Sequence, residues 1–253
     1  MSRAAVFIYG AIAYVLFLAV FLYAIGFVGN FGVRKAIDDG PAVPLTEALL
    51  VNTVLMGLFA VQHSVMARPG FKKWWTKIVP QPIERSTFVL LSNGVLALLF
   101  WQWRPITDVV WAIEGSVGRA IVYGLFILGF AVVVISTFVI DHFDLFGLKQ
   151  VVLFARKKSY PEPRFQVTFF YRFVRHPLLL GFIIAFWAAP TMTAGHLLFA
   201  VVTTLYMLVA IQIEERDLER AHGPAYAEYR RQVPMIIPRL GAPAAPEVRE
   251  SRA

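Results

Sequence analysis

Cysteine is absent from the 253 residues, which removes disulfides, thiolate-ligated metal centres and covalent chemistry on a cysteine sulfur, and leaves the compartment unreadable from redox usage. Charge is scarce too. Asp, Glu, Lys and Arg make up 16% of the chain against 58% hydrophobic residues, at a mean hydropathy of +0.64, too apolar for the surface of an ordinary soluble domain. Phosphate loops are missing: Gly26, Gly29 and Gly32 have the wrong spacing for a dinucleotide loop and follow an apolar run, and no P-loop occurs. No His-x-x-x-His pair is present, so the metal signal is weak. The first apolar run is too long for a cleavable signal and lacks a small-residue cleavage site. The net charge of +8 sits in loops beside apolar runs, where the positive-inside rule accounts for it, and no nucleic-acid partner is expected.

What is present reads as an all-α, polytopic membrane bundle: four long spans, a C-terminal membrane hairpin and a cytoplasmic amphipathic tail. The spans are expected near 4–28, 45–66, 87–103 and 120–140, each close to the ~20 residues that cross about 30 Å of hydrocarbon. Residues 1–140 then form the transmembrane bundle, 141–240 a second region with the hairpin at 178–213, and 241–253 a Pro/Ala-rich disordered tail. The first arm of the hairpin is short, and a breaker-rich turn runs from Pro190 to Gly195.

Loop charge sets the expected orientation. Arg68, Lys72, Lys73, Lys77 and Arg85 face only Glu84 between the second and third spans, and Lys149, Arg156, Lys157, Lys158, Arg164, Arg172 and Arg175 follow the fourth. Those loops and both termini are placed in the cytoplasm. Trp74 and Trp75 are assigned to an inner aromatic belt, and Trp101, Trp103 and Trp111 to an outer one.

Every strong polar cluster then gathers at the cytoplasmic side: Gln62-His63, Asp141-His142-Phe143-Asp144, Arg175-His176 and Glu214-Glu215. Polar residues at membrane helix ends cost desolvation unless paired or hydrated, which makes them functional candidates. Pro177 suits the first helical position, with the N–H groups of that turn open to an anion and Arg175 and His176 as further donors. Gly181, one turn on, lets a flat group approach the backbone, or is simply a packing glycine. Glu214 and Glu215 are the first charges after a long apolar run, and a closed hairpin sets them beside Arg175 and His176. Tyr226 and Tyr229, with Arg230, lie on a short helix after a break at Gly223-Pro224; the rings lie in the interface or cover an adenine, interface being the plainer reading. His142, or His63 nearby, suits proton acceptance near neutrality. His196 is expected on the outer side in a structural role.

Arg175-His176-Pro177, Gly181, Glu214-Glu215 and the Tyr226, Tyr229, Pro234 run together resemble the cofactor-binding region of the integral-membrane methyltransferases of the isoprenylcysteine carboxyl and phospholipid types. Leu178 stands where that pattern commonly has an aromatic residue. The wider chain, including Gln62-His63-Ser64 and Asp141-His142-Phe143-Asp144, is similar to their bacterial NnrU-like branch. The resemblance implies S-adenosylmethionine as cofactor and a small thiol as acceptor, methanethiol giving dimethyl sulfide. It makes 141–240 the cofactor-binding region, with Arg175 and His176 at the methionyl end and Glu214 or Glu215 at the ribose or amine. His142, supported by His63 or Asp141, takes the proton or orients the sulfur; no metal is called for. It also implies the bacterial inner membrane, membrane lipid as partner and a site facing the cytoplasm. Two alternatives accompany it: a lipid or isoprenylcysteine acceptor, and a haem-binding protein with His63, His142 and His176 as ligands.

Overall fold

Apolar runs become helices whose ends follow local rules. The computed structural model describes residues 2–161 and 165–238, together with the backbone of Val248–Arg249. Helix α1 (Arg3–Gly29) starts at Ser2, whose hydroxyl accepts from the Ala5 amide, and stops at Asn30 in the left-handed conformation, φ 57°. Helices α2 (Leu45–Ala67), α3 (Pro69–Trp75) and α4 (Gln81–Gln102) each have proline at or beside the first residue, where its fixed φ suits a helix and its missing N–H costs nothing. The remainder runs β1 (Val109–Ala112), α5 (Ser116–Ile140), α6 (His142–Leu145), α7 (Leu148–Ala155), β2 (Gln166–Val167), a 3-10 turn (Phe169–Arg172), α8 (Pro177–Trp187), β3 (Thr191–Thr193), α9 (Ala194–His222), α10 (Pro224–Gln232) and β4 (Val248–Arg249). Among the described residues, α1, α2, α4, α5 and α9 are long and apolar enough to cross a membrane. The all-α polytopic bundle is therefore the observed class. Its core is aromatic, with Phe27, Phe100, Trp103, Phe126, Phe130 and Phe199 packed in one cluster.

Helix α8 has 11 residues and extends about 16 Å, roughly half of a hydrocarbon layer. The chain completes the passage without a helix: Ala188, Ala189 and Pro190 are buried, and β3 pairs antiparallel with β1, Thr191 opposite Ala112 and Thr193 opposite Val109. Loose backbone groups there find partners inside the protein. The Pro190 carbonyl accepts from the Ile113 amide at 2.8 Å, the Ala189 carbonyl from Trp111 Nε1 at 3.2 Å, and the Gly195 amide reaches the Ile106 carbonyl at 2.8 Å. Irregular backbone at membrane depth is tolerable only when it is enclosed this way. Both arms of the hairpin thus reach the face where α4 ends and α5 begins, hereafter the strand face, and α8 begins and α9 ends on the opposite, charged face.

Helices α5 and α8 cross at a glycine pair. A Cβ on Gly181 would stand 2.6 Å from the Gly129 carbonyl oxygen, and one on Gly129 would stand 2.6 Å from that of Gly181. Close approach of two backbones is how membrane helices gain packing without a hydrophobic drive.

Two expectations are corrected here. Helix α4 starts at Gln81, ahead of the span expected from Thr87, because its early charge is absorbed locally: Arg85 Nε donates to the Leu145 carbonyl at 2.7 Å and its guanidinium lies over Phe88, 4.9 Å from the ring centroid. Trp103 is a core residue and not part of an aromatic belt, fully buried with Nε1 donating to the Ile37 carbonyl at 2.9 Å. The tail expected at 241–253 lies outside the described residues apart from the backbone of Val248–Arg249, which pairs with Gln166–Val167.

The glycine crossing yields a stability prediction. Gly181→Ala should cost about 1–3 kcal/mol by overpacking and lower the thermal midpoint in detergent, whereas Gly124→Ala, with nothing within 4 Å of its added carbon, should leave the midpoint unchanged or raise it.

Candidate functional site

The start of α8 and the last turns of α9 come together on the charged face. Glu215 is 2% exposed, yet its carboxylate is fully engaged. Arg175 Nε meets Oε1 at 2.6 Å, His176 Nε2 meets the same oxygen at 3.0 Å, and Arg230 Nε lies 3.4 Å from Oε2. A buried carboxylate survives only with such company. The ends of the hairpin and the tail helix α10 are therefore fastened through one side chain.

Backbone contacts reinforce the fastening. The Arg175 amide donates to the Pro234 carbonyl at 2.9 Å and the His176 amide to the Met235 carbonyl at 3.1 Å, so the residues after α10 lie alongside the entry to α8. One guanidinium nitrogen of Arg175 donates to the Arg230 carbonyl at 3.0 Å and also reaches the Val233 carbonyl. Pro177 is the first residue of α8, and no side chain caps that turn. Gly223, at φ 54°, and Pro224 break α9 from α10, a conformation and a residue that together end one helix and start the next.

Glu214 is the contrasting neighbour. Its side chain is 50% exposed, and its ion-pair contact is with the His176 ring, whose Nδ1 lies 4.0 Å from Oε2. Because Glu215 can only accept, His176 Nε2 must carry a proton toward it, which leaves Nδ1 on the side of Glu214. Glu215 is occupied by protein; Glu214 has capacity for a ligand.

Tyr226 and Tyr229 are buried, packed with Phe165, Val167 and Val233, and not spread in a membrane interface. Tyr229 donates to the Tyr171 carbonyl at 2.7 Å. The Tyr226 hydroxyl is enclosed with no hydrogen-bond partner among the described residues. Burial, with Glu215 adding to it, drives the Tyr226 hydroxyl pKa well above the usual phenol range, so this group is a neutral donor. Gly181 is turned into the α5 crossing, where Gly129 and Val133 occupy the space beside it; packing is what the geometry gives it.

The candidate base stands apart from this cluster. His142, in α6, is 8% exposed. Its Nε2 lies 2.8 Å from the Tyr14 hydroxyl, and its Nδ1 2.8 Å from Thr137 Oγ1. Burial holds the imidazole pKa below its ordinary value, with the Asp141 charge working the other way, so His142 is neutral at pH 7 and open to a proton. Asp141 itself caps α6, accepting from the Asp144 amide at 3.2 Å, and pairs with Lys149. His63 belongs to a different group: its Nδ1 is 3.3 Å from Ser92 Oγ, and its ring lies between Phe59 and Phe88, 5.2 and 5.0 Å away. His63, His142 and His176 sit in three separate hydrogen-bond groups, and no cluster of three or more metal-binding side chains occurs among the described residues. His196 is buried near the strand face, its Nε2 2.9 Å from the Phe186 carbonyl.

Sequence reasoning missed Tyr14 and Thr137. Thr137 had a readable signal, lying on the same helix face as Gly129 and Val133, but Tyr14 is one aromatic in an uncharged span.

A helical membrane protein with its polar chemistry collected at one end of a closed hairpin is the class this arrangement defines. The chain belongs to the NnrU family, whose description is NnrU protein and which matches residues 50–240. It is similar to the methanethiol S-methyltransferase of Mycobacterium tuberculosis, 56% identical over 238 residues that cover 94% of this chain and 98% of the relative. A protein of the same name from Crocosphaera subtropica is 51% identical, covering 95% and 94%, and methanethiol S-methyltransferase 2 of Bradyrhizobium diazoefficiens is 53% identical, covering 95% and 93%. No solved structure matches.

The two glutamates should separate in a melting experiment. Glu215→Ala leaves Arg175 and His176 buried without their anion and should cost about 3–5 kcal/mol, seen as a large drop in thermal midpoint, while Glu214→Ala should leave the midpoint close to that of the parent.

Proposed function

We propose that this chain is a membrane methyltransferase that moves a methyl group from S-adenosylmethionine to a small thiol, methanethiol giving dimethyl sulfide. The convergence of Arg175, His176, Glu214 and Glu215 at the mouth of the hairpin carries this reading, together with relatives that bear the name methanethiol S-methyltransferase at 46–56% identity.

The side chains suit the cofactor's functional groups. Glu214, half exposed and lightly paired, would take an ammonium or a ribose diol; the open first turn of α8, beside Arg175 and His176, would meet a carboxylate. The Tyr226 hydroxyl, enclosed and unpartnered, is the kind of group a ligand oxygen or ring nitrogen satisfies. Glu215 has no such freedom, so its role is to hold Arg175, His176 and Arg230 in position. When bound, S-adenosylmethionine would supply a methyl group on a sulfonium, open to in-line attack by the acceptor sulfur, with the demethylated thioether as leaving group. The protein's own tasks are to fix both partners, exclude water and remove the thiol proton, and His142, neutral and held on both nitrogens, is the group suited to the last. No cysteine carrier is needed.

Orientation belongs to the same proposal. The basic loops lie on the face that carries the site, which supports a cytoplasmic site and N-terminus in a bacterial inner membrane by the positive-inside rule. Bilayer lipid surrounds the spans, and the tail helix lies on the cytoplasmic surface.

The decisive assay incubates purified protein with methyl-labelled S-adenosylmethionine and a panel of small thiols, phospholipids and prenylcysteine esters. Label is expected in the methyl sulfide; label in lipids alone would remove the thiol assignment. Glu214→Ala should weaken cofactor binding by calorimetry about tenfold or more, in the range of one charged hydrogen bond, with unchanged affinity counting against its role. Because the chain has no cysteine, single substitutions report topology directly: Lys158→Cys should react with an impermeant maleimide only after cells are opened, and Val109→Cys in intact spheroplasts.

A further inference from the structure

We propose that Tyr14 is the group that meets the acceptor sulfur, passing the thiol proton on to His142. This rests on the thiol methyl-transfer reading above.

The hydrogen-bond network assigns the direction. Thr137 Oγ1 donates its single proton to the Val134 carbonyl at 2.6 Å, so toward His142 Nδ1 it can only accept, and Nδ1 carries the ring proton. Nε2 is then bare and accepts from the Tyr14 hydroxyl at 2.8 Å. Both imidazole nitrogens are thereby engaged. The position left open to an incoming S–H is the second lone pair on the Tyr14 oxygen.

Proton transfer through this pair balances. The S–H bond breaks as an O–H bond forms on Tyr14, and the original phenol proton moves to His142 Nε2. The result is a thiolate, a neutral phenol and an imidazolium that keeps its Nδ1–H on Thr137. Tyrosine ends as it began, so no phenolate has to be stabilised in the membrane.

Surroundings and placement fit the assignment. Tyr14 lies about 16 Å along α1 from its start, in the half of that helix toward the charged face, and is half-buried. The pair is ringed by aromatics: Phe138 stacks on His142 at 4.2 Å, Phe143 and Phe146 have centroids 5.3 and 5.0 Å from it, and Phe17 lies 6.1 Å from Tyr14. Sulfur makes favourable contacts with ring edges. Phe138 and Phe143 are 58% and 46% exposed, so an apolar thiol reaches the pair from the side, out of hydrocarbon. Thr137 also stands one turn beyond Val133, the residue against Gly181, which brings the relay level with the start of α8 and the charged cluster.

The test compares two acceptors in the intact protein: an alkyl thiol, protonated at neutral pH, and an aryl thiol, largely ionised there. Tyr14→Phe removes one oxygen. With the alkyl thiol kcat should fall about 100-fold or more, the scale of a lost general base, while the aryl thiol should be turned over nearly as in the parent and the KM for the methyl donor should hold. Equal losses on both thiols, or loss on neither, would overturn the relay and leave methyl transfer standing. A parent protein that methylates neither thiol would instead remove the underlying reading and the relay with it. Nitrogen-15 NMR of His142 gives a readout independent of turnover: Nδ1 should be protonated in both proteins, with the bare Nε2 shifting when the phenol is removed. A proton found on Nε2 of the parent would reverse the assignment.

Discussion

The structure depends on one buried carboxylate. Glu215 draws Arg175 and His176 from the entry of the hairpin and Arg230 from the tail helix onto two oxygen atoms. A charge taken that far out of water is tolerable only while all of its partners remain. The arrangement is consequently all-or-nothing: α8, α9 and α10 either meet at that point or lose a common anchor. This gives the last third of the chain a defined shape in a region where α8 alone is too short to hold itself across the membrane.

Division of labour between adjacent glutamates follows from the same constraint. On a helix, consecutive residues point about 100° apart, so Glu215 turns inward toward the cations while Glu214 turns to the open side. The inner residue supplies rigidity and the outer one availability. The zwitterionic cofactor proposed for this site would call on both, because donors that are themselves mobile discriminate poorly.

Much of this was legible in the chain. Four spans and a folded-back hairpin followed from hydrophobic length, and the meeting of Arg175 and His176 with Glu215 followed from closing that hairpin, since both pairs lie at its open end. Other features required knowledge of contacts distant in sequence. Tyr14 and His142 are 128 residues apart, and nothing in an uncharged apolar run marks which aromatic turns toward a partner. Trp103 was misplaced because a tryptophan near a span end usually lies at the headgroups, whereas here the Ile37 carbonyl and two phenyl rings draw it into the core. Tyr226 and Tyr229 were likewise expected at the interface, where the ridge formed by Phe165 and Val167 buries them instead. The first turns of α4 lie ahead of the expected span, and their charge is accommodated because Arg85 finds a carbonyl and a ring to rest on.

The outward-facing phenyl rings at Phe138 and Phe143 carry a quantitative corollary. A centre fed laterally samples the concentration dissolved in oil, which for a volatile, sparingly soluble molecule exceeds that in the surrounding buffer. Its half-saturation point, expressed per volume of water, then shifts with the amount of lipid or detergent in the sample, and only a value corrected for partitioning is a property of the protein.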